Sequence, residues 1–485
     1  MDHILRLIDI VTVNKVTFSQ TVFGGGYKGV DMTAEVLLEK IDSQRGTGIF
    51  TELYGTDEVG SARQRYRKLI TEMIDKGSDS FPETAGTDGN IRVFSAPGRT
   101  ELGGNHTDHN RGKVLAASIQ LDNVAIVQAR NDDTVFFRST GHSDVKIKLT
   151  NSAGEPDLKP KKEERGEAEA LVRGIAAEFM NRGYKTGGFS ANANSMVLAG
   201  SGLSSSAALE VLLGRIYDCL YNDGKRSSLE IAQIGQISEN VFFGKPCGLM
   251  DQVACATGGA VAIDFANVGK PEVKQINFDL DSVGYALCIV NTRGSHSDLT
   301  PDYAAIPSEM KEIAAFFGKS VLGEIQRDSV IDNACDLRKK ISDRAFLRAL
   351  HFFDENERVD AMAVALTEMD NAAGSDAKVR ALGRYLELVN ESGASSWELL
   401  QNVFSPRCPE AQGVSVAIAL SRRFLHEQKI IGAARVHGGG FAGTIQVYVP
   451  KDAVNLYKRY MDAVFGSGSV TVLRIRPLGA VELFF

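Results

Sequence analysis

A glycine- and serine-rich loop that leads directly into an apolar helix constrains the fold of this chain more than any other feature. Residues 196–213 read MVLAGSGLSSSAALEVLL. Leu209, Leu212 and Leu213 recur at helical spacing, so a helix is predicted to begin near Ser205, and the preceding GGFSANANSMVLA favours a strand. In such a strand–loop–helix unit, the free backbone N–H groups and the positive end of the helix dipole favour a bound anion such as phosphate.

The small residues of this loop suit the close approach of a large anion. Gly200 and Gly202 let the backbone come near it, and three consecutive serine hydroxyls can donate to phosphate oxygens or bind Mg²⁺. The alternative is a serine N-cap with a flexible approach, although the SSSAA run leaves room for a bulky ligand. Two other glycine motifs are weaker. Residues 318–320 lack the upstream glycine of a Walker A loop, and the GxGxxG of residues 24–29 follows no predicted strand, which favours a turn.

Two carboxylates lie in the segment that follows this helix. Asp251 sits within NVFFGKPCGLMDQVACATGG, where few polar neighbours make an unpaired carboxylate costly to bury. It can accept the proton of a substrate hydroxyl while a cation holds it, or it can cap a helix. Glu239 lies on a helix predicted to begin near Leu229. It can bind Mg²⁺ together with a hydroxyl, or it can be a solvated helix glutamate.

A second polar segment, the turn-rich GRTELGGNHTDHNRG, follows the predicted strand IRVFSAP. Arg99, Asn105, His106 and Asp108 fall close together in it and suit the hydroxyls of a polyhydroxylated ligand. His106, Asp108 and His109 also resemble metal ligands, but the sequence contains no second His/Cys cluster to complete such a site.

Composition excludes several classes of function. The net charge of −7 argues against a nucleic-acid partner, which usually leaves a basic footprint. No run of about 18 uncharged apolar residues is present, so we expect no membrane partner. The first residues lack a signal-peptide layout, and the six scattered cysteines contain no CxxC pair, as expected of free thiols. A soluble cytoplasmic protein is predicted.

Differences in motifs and in predicted secondary structure divide the chain into three segments. Residues 1–90 form an N-terminal extension and helical lead-in, residues 91–290 carry the loop motifs, and residues 291–485 mix helices with a closing set of strands. Segregated strands and helices of this kind predict an α+β fold in two lobes.

Four ordered motifs give the chain a family resemblance. It resembles the GHMP kinases and, within them, the galactokinase family. Residues 96–115, APGRTELGGNHTDHNRGKVL, are similar to that family's GRVNLIGEHTDYNGG-like run. Residues 200–208 match the phosphate loop GxGLSSSAA, residues 247–252 match CGIMDQ, and residues 438–443 match GGGFGG. The resemblance covers roughly residue 52 to the C-terminus.

The resemblance implies a fold, a reaction and a set of site residues. The fold is the two-lobed GHMP kinase fold, with an N-terminal lobe like the second domain of ribosomal protein S5 and a ferredoxin-like C-terminal lobe. The reaction is ATP-dependent phosphorylation of a monosaccharide, most simply galactose to galactose 1-phosphate, by a monomer or weak homo-oligomer. Asp251 is implied as the catalytic base or the carboxylate that orients the sugar hydroxyl, with Arg99 stabilising the transition state. Ser206 and Glu239 are implied as Mg²⁺ ligands. The implied ATP-phosphate loop is Gly200, Ser201, Gly202, Leu203, Ser204, Ser205 and Ser206, and the implied sugar-binding residues are Asn105, His106, Thr107, Asp108 and Tyr303.

Two departures from the family pattern fall within residues 105–109, named the sugar loop because the resemblance implies that it binds the sugar. Asn105 stands where the pattern has glutamate, and His109 stands where it has tyrosine. The first leaves open another sugar of the same family's range, such as an amino sugar or a pentose. A non-catalytic sugar-sensing regulator is the remaining alternative, but such a protein would have lost the SSSAA loop or the base, and both are intact.

Overall fold

The computed structural model describes residues 32–74, 90–197, 202–294 and 299–485. In those residues the strands are β1 (Arg92–Gly103), β2 (Lys113–Ala129), β3 (Thr134–Ser139), β4 (Val145–Lys148), β5 (Phe189–Ser195), β6 (Ala260–Asp264), β7 (Glu272–Ile276), β8 (Tyr285–Asn291), β9 (Ala433–Val436), β10 (Thr444–Pro450), β11 (Val470–Leu473) and β12 (Val481–Leu483). The glycine motif of residues 24–29 lies outside the described residues.

Helices account for most of the remaining described chain. They are α1 (Ala34–Asp42), α2 (Gln44–Tyr54), α3 (Val59–Ile74), α4 (Ala168–Asn181), α5 (Ser205–Tyr221), α6 (Ser228–Ile237), α7 (Met250–Thr257), α8 (Thr300–Phe316), α9 (Arg327–Asp332), α10 (Ala334–Lys340), α11 (Asp343–Asn371), α12 (Ser375–Ser395), α13 (Gly413–Glu427) and α14 (Val454–Phe465). Wider π-helical turns extend α6 over Ser238–Phe243 and α12 over Ser396–Leu400. None of the described helices is long and apolar enough to cross a membrane.

Two sheets organise the two lobes. An eight-stranded sheet has the order β12-β1-β2-β5-β3-β4, with β6 and β7 continuing from β2, and a four-stranded antiparallel sheet has the order β11-β8-β10-β9. The boundary predicted between residues 290 and 291 falls inside β8, which pairs with β10 and β11 of the second sheet. Strand β12, close to the C-terminus, pairs with β1. The first sheet thus includes the last strand of the chain, and we propose that the two lobes do not divide at a single point.

Strand β1 carries the sugar loop into place. The turn expected from Gly98 onward begins only after Gly103, because irregularities at residues 97–99 and 101–103 let β1 stay paired with β2. A bulge accommodates Pro97, which has no N–H to donate to the ladder. The polar residues up to Gly103 therefore lie on a strand, and residues 104–108 lie in the turn that follows.

Alternation along β2 gives the first sheet two buried faces. Ala125 and Val127 face the main core beneath α5, whereas Val124 and Ile126 face a second apolar cluster. That second cluster is formed with α1, α2 and α3, whose role the sequence did not indicate. The N-terminal helices thus cover the outer face of the sheet.

A buried charge network fixes these helices to the sheet. Arg65 on α3 donates to Asp122 Oδ1 at 2.6 Å, and Arg476 donates to Asp122 Oδ2 at 2.9 Å. Tyr54 on α2 also donates to Asp122 Oδ2, at 2.7 Å. Burial opposes ionisation of Asp122, but the two guanidinium groups outweigh it and lower its pKa. Losing either arginine would leave a buried charge poorly compensated, so helices α2 and α3 are part of the folded unit.

Candidate active site

The N-terminus of α5 and the start of α7 meet at Asp251. Ser204 Oγ donates to Asp251 Oδ2 at 2.5 Å, and Arg99 Nε donates to Asp251 Oδ1 at 2.8 Å. Arg99 also lies with Nη2 at 2.8 Å from the same oxygen, and its side chain is almost fully buried. The structure thus brings the serine loop, the arginine of β1 and the carboxylate of α7 to one point.

Backbone contacts hold the serine loop against β1. The Arg99 N–H donates to the Leu203 carbonyl at 3.1 Å, and Arg99 Nη1 donates to the Gly202 carbonyl. Gly98 permits this approach, because a Cβ there would lie 2.7 Å from the Leu203 carbonyl oxygen. Helix α5 begins at Ser205, as its apolar spacing predicts, and buries residues such as Val211 against the sheet. Gly200 and Ser201 lie outside the described residues.

Ser206 and Glu239 form a second pair beside this junction. Ser206 Oγ donates to Glu239 Oε1 at 2.9 Å, and Gln252 Nε2 donates to Glu239 Oε2 at 3.0 Å. The Glu239 side chain is only 2% exposed, and Lys245 Nζ contacts its Oε1 at 3.1 Å. A hydroxyl and a carboxylate are the oxygen ligands that Mg²⁺ takes alongside phosphates and water, so these residues fit a magnesium ion. The Lys245 ammonium balances the charge of this carboxylate.

The environment of Asp251 favours its charged form. Burial opposes ionisation, but the Arg99 guanidinium, the Ser204 hydroxyl and the Lys245 ammonium together hold the pKa of Asp251 below its usual range. Nearby Glu210 differs: burial and the charge of Glu239 raise its pKa well above normal. Asp251 is therefore ionised at neutral pH and available as a hydrogen-bond acceptor.

Asp108, one of the residues predicted to bind sugar, lies near the same junction. Asp108 packs on the backbone of Gly248, where any Cβ would collide with its carboxylate. Gly248 lies three positions before Asp251, so the loop after β1 reaches the start of α7. Thr107 is buried, and its hydroxyl donates within the loop to the carbonyls of Gly104 and Lys113.

His106 and Tyr303 meet the glycine motif of residues 438–443. His106 Nε2 lies 2.9 Å from the Gly439 carbonyl oxygen, which only accepts, so Nε2 carries the proton and Nδ1 is an acceptor. Burial lowers the pKa of His106 to about 4, which keeps the ring neutral at physiological pH. Tyr303 donates to the Gly440 carbonyl at 3.0 Å, and its ring would lie 2.6 Å from a Cβ at Gly439. The absence of a side chain at Gly439 therefore lets the Tyr303 ring pack against the backbone of this motif.

Asn105 is fully buried and joins the two lobes. Its Nδ2 donates to the Gly438 carbonyl at 2.8 Å and to Glu101 Oε1 at 3.1 Å. Its Oδ1 accepts from Asn402 Nδ2 at 2.7 Å. Glu101 in turn pairs with the buried Arg435. A sugar hydroxyl can reach the Asn105 amide only by displacing one of these bonds.

Sequence reasoning missed several of these partners. Glu101 stands where the family's GRVNLIGEHTDYNGG run has asparagine, so this chain exchanges the amide and the carboxylate of that run between positions 101 and 105. Reading both positions together would have revealed the exchange. Gln252 and Lys245 flank Asp251 in the chain, but their contacts with Glu239 carry no local sequence signal. Among the described residues, no group of three or more His, Cys, Asp or Glu side chains is arranged to hold a metal, so His106, Asp108 and His109 form no such site.

Comparison with known proteins gives the same family by independent routes. Residues 170–259 match the GHMP kinases N terminal domain, and residues 79–129 match the galactokinase galactose-binding signature. A galactokinase of Streptomyces coelicolor is 31% identical over 388 residues, which covers 79% of this chain and 91% of that protein. A galactokinase of Clostridium tetani is 28% identical over 373 residues, with 77% and 87% covered.

Solved structures share the fold. The structure of Lactococcus lactis galactokinase complexed with galactose has a TM-score of 0.66 at 24% identity, covering 90% of this chain and 98% of that one. Methanococcus jannaschii mevalonate kinase has a TM-score of 0.51 at 13% identity, covering 80% and 99%. The α+β architecture is thus the GHMP kinase fold, and this chain belongs to the galactokinase family of GHMP kinases.

Proposed function

We propose that this chain transfers the γ-phosphoryl group of ATP to the anomeric hydroxyl of galactose, giving galactose 1-phosphate and ADP. The observation that carries the proposal is the contact of Ser204 with Asp251, which joins the helix start proposed to bind phosphate to an ionised carboxylate. Phosphoryl transfer needs mainly positioning and neutralisation of charge, and this junction offers both.

Each part of the junction has its own role in the proposed reaction. The loop ending at Ser206 binds the ATP phosphates through backbone N–H groups and hydroxyls. Asp251 accepts a hydrogen bond from the sugar hydroxyl and orients its oxygen for in-line attack on the γ-phosphorus. Arg99 fixes Asp251 and places positive charge beside the transferring group. As the new O–P bond forms and the bond to the ADP oxygen breaks, the hydroxyl proton passes to Asp251.

Mg²⁺ is proposed as the metal ion, held by Ser206 and Glu239. When bound, it would neutralise charge on the ATP phosphates. The enzyme would act in the cytoplasm, where ATP is supplied, as a monomer or weak homo-oligomer. His106, Asp108 and Tyr303 would surround the sugar from the loop and from the second lobe.

An ADP-release assay across free monosaccharides tests the proposal. We expect D-galactose to give the highest kcat/KM, with glucose, mannose and arabinose lower by at least about 10-fold, since a lost or misplaced hydrogen bond to a charged group costs about 1.5–3 kcal/mol. Absence of sugar-dependent ADP release across the whole panel would contradict the kinase proposal.

A second substrate is favoured by one observation. The amide–carboxylate exchange leaves position 105 without a carboxylate and with its amide bonded to protein. If another sugar, such as an amino sugar or a pentose, exceeds galactose in kcat/KM, the kinase assignment stands with that sugar as substrate.

A further inference from the structure

Lys245 lies at the point where the two functional pairs of the site meet. It follows the π-helical turn Ser238–Phe243, and its backbone N–H donates to the Glu239 carbonyl at 3.1 Å. Its Nζ contacts Glu239 Oε1 at 3.1 Å. The Lys245 side chain is 61% exposed and that of Glu239 only 2%, so the ammonium lies on the solvent side of the carboxylate.

The same ammonium also acts on Asp251, whose charged form it helps to stabilise. One positive group therefore acts on both carboxylates, that of the proposed metal-binding residue and that of the residue proposed to orient the sugar hydroxyl. In the proposed reaction, the phosphoryl group moves from phosphates bound beside Ser206 and Glu239 to a hydroxyl held by Asp251. Arg99, by contrast, is already committed to Asp251 and the Gly202 carbonyl and is nearly buried.

We propose that Lys245 is a further phosphate-binding residue, which contacts the transferring phosphoryl group of the nucleotide; this inference rests on the kinase function proposed above. A metal ion and an ammonium repel each other at one carboxylate oxygen. With a metal ion at Glu239, Lys245 would leave the carboxylate, and its flexible four-carbon stem would let the ammonium turn to the phosphoryl oxygens.

The role is one of charge and hydrogen bonding. The bond between the γ-phosphorus and the ADP oxygen breaks, the bond to the sugar oxygen forms, and Lys245 keeps its own proton throughout. Its ammonium donates to the non-bridging oxygens, whose negative charge is spread over the group in the transition state. The benefit is greatest there, so we expect an effect on kcat more than on the KM for galactose.

Lys245→Met and Lys245→Arg test this role, with Lys161→Met as the matched control. Like Lys245, Lys161 forms an ion pair, and its Nζ lies 2.9 Å from Asp157 Oδ2, but this pair lies outside the site. We expect Lys245→Met to lower kcat by about 10- to 100-fold with the KM for galactose within about 2-fold, and Lys245→Arg to recover much of the loss. The control should match the unchanged enzyme.

A binding measurement separates this role from a structural one. Calorimetry with Mg²⁺-ADP, and with Mg²⁺-ADP plus aluminium fluoride and galactose, compares a ground-state nucleotide with a mimic of the transferring group. Lys245→Met should weaken the fluoride complex at least about 10-fold and Mg²⁺-ADP by less than about 3-fold. Equal weakening of both complexes, or unchanged kcat, would overturn the inference. If the unchanged enzyme phosphorylates no sugar, the proposed function itself fails instead.

Discussion

Arg99 Nε and Nη2 both lie 2.8 Å from Asp251 Oδ1, although 152 positions separate the two residues in the chain. The arginine comes from the second half of β1 and the aspartate from the first turn of α7. The other carboxylate oxygen accepts from Ser204 at 2.5 Å. Both oxygens are therefore oriented by protein donors, and the side chain stays charged where the sugar hydroxyl is proposed to bind.

Replacing Asp251 by asparagine should remove most of the activity without unfolding the protein. The amide keeps the size of the carboxylate but cannot take the hydroxyl proton, and a positioned base contributes about 10²- to 10⁴-fold to a rate. We expect kcat to fall within that range. Asp281→Asn, which removes a surface carboxylate paired with Lys451, serves as control. A turnover rate near that of the unchanged enzyme, with a normal unfolding midpoint, would show that Asp251 is not the base.

Replacing Arg99 by methionine should raise the pKa of Asp251. Burial is the largest influence on that carboxyl and raises its pKa, while Arg99 is the largest opposing one. Without Arg99, the pKa of Asp251 should rise, so galactose binding should begin to weaken at a higher pH than in the unchanged enzyme. Calorimetric titration with galactose between about pH 4.5 and 8 checks this.

The charge-preserving Arg99→Lys variant is the control for that titration. It should keep the pKa of Asp251 low and give binding that changes little over the same range. If the methionine variant shows no more acid sensitivity than the lysine variant, Arg99 does not set the ionisation of Asp251.

Removing the carboxylate of Glu239 should raise the Mg²⁺ requirement. Glu239→Gln keeps an oxygen near Ser206 but loses the negative charge that favours a divalent ion. The Mg²⁺ concentration for half-maximal activity at fixed ATP should rise by at least about 10-fold, the equivalent of a lost charged contact. Glu230→Gln on the same helix, where the carboxylate contacts Tyr184, is the control. An unaltered Mg²⁺ dependence in Glu239→Gln would assign the metal to other ligands.

The amide–carboxylate exchange predicts an unusual order of stabilities. Asn105→Asp would put a second carboxylate where Nδ2 now lies 3.1 Å from Glu101 Oε1, and buried like charges repel strongly. Asn105→Ala adds no charge and only removes hydrogen bonds, among them those to Glu101, Gly438 and Asn402. We expect Asn105→Ala to lower the free energy of unfolding by about 1–3 kcal/mol and Asn105→Asp to lower it further at neutral pH.

Denaturant unfolding of the single and double variants measures this interaction directly. Adding Glu101→Gln should recover stability in the Asn105→Asp background but cost stability in the unchanged protein, because Arg435 loses its partner there. If the aspartate variant is as stable as the alanine variant, the two positions are not coupled as the structure indicates.

The sequence predicted those parts of the site that depend on the spacing of neighbouring residues in the chain. The apolar spacing of Leu209, Leu212 and Leu213 predicts the start of α5 at Ser205, where the structure has it. The resemblance supplied the family and the fold, which the comparisons confirm. Residue roles at Asp251, Arg99 and Glu239 stay predictions until the variants above are measured.

Contacts between distant segments were not predictable in this way. Strand β12 pairs with β1, so residues as distant in the chain as Val93 and Leu483 are partners. No local periodicity predicts such a pairing. The polar residues in the second half of β1 were predicted to form a turn. Bulges keep this part of β1 paired with β2, and bulges depend on the partner strand, which the local sequence does not indicate. Asn105 finds its partners at Asn402 and Gly438, so its burial could not be inferred from its own loop.

The most direct measurement of the central claim is phosphorus NMR of the product made from ATP, Mg²⁺ and D-galactose by the unchanged enzyme and by Asp251→Asn. The account predicts a sugar phosphate whose phosphorus couples to the anomeric proton, formed by the unchanged enzyme and at a rate lower by at least about 100-fold by the variant. A phosphate on another carbon, ATP hydrolysis without sugar phosphate, or equal rates in the two proteins would contradict it.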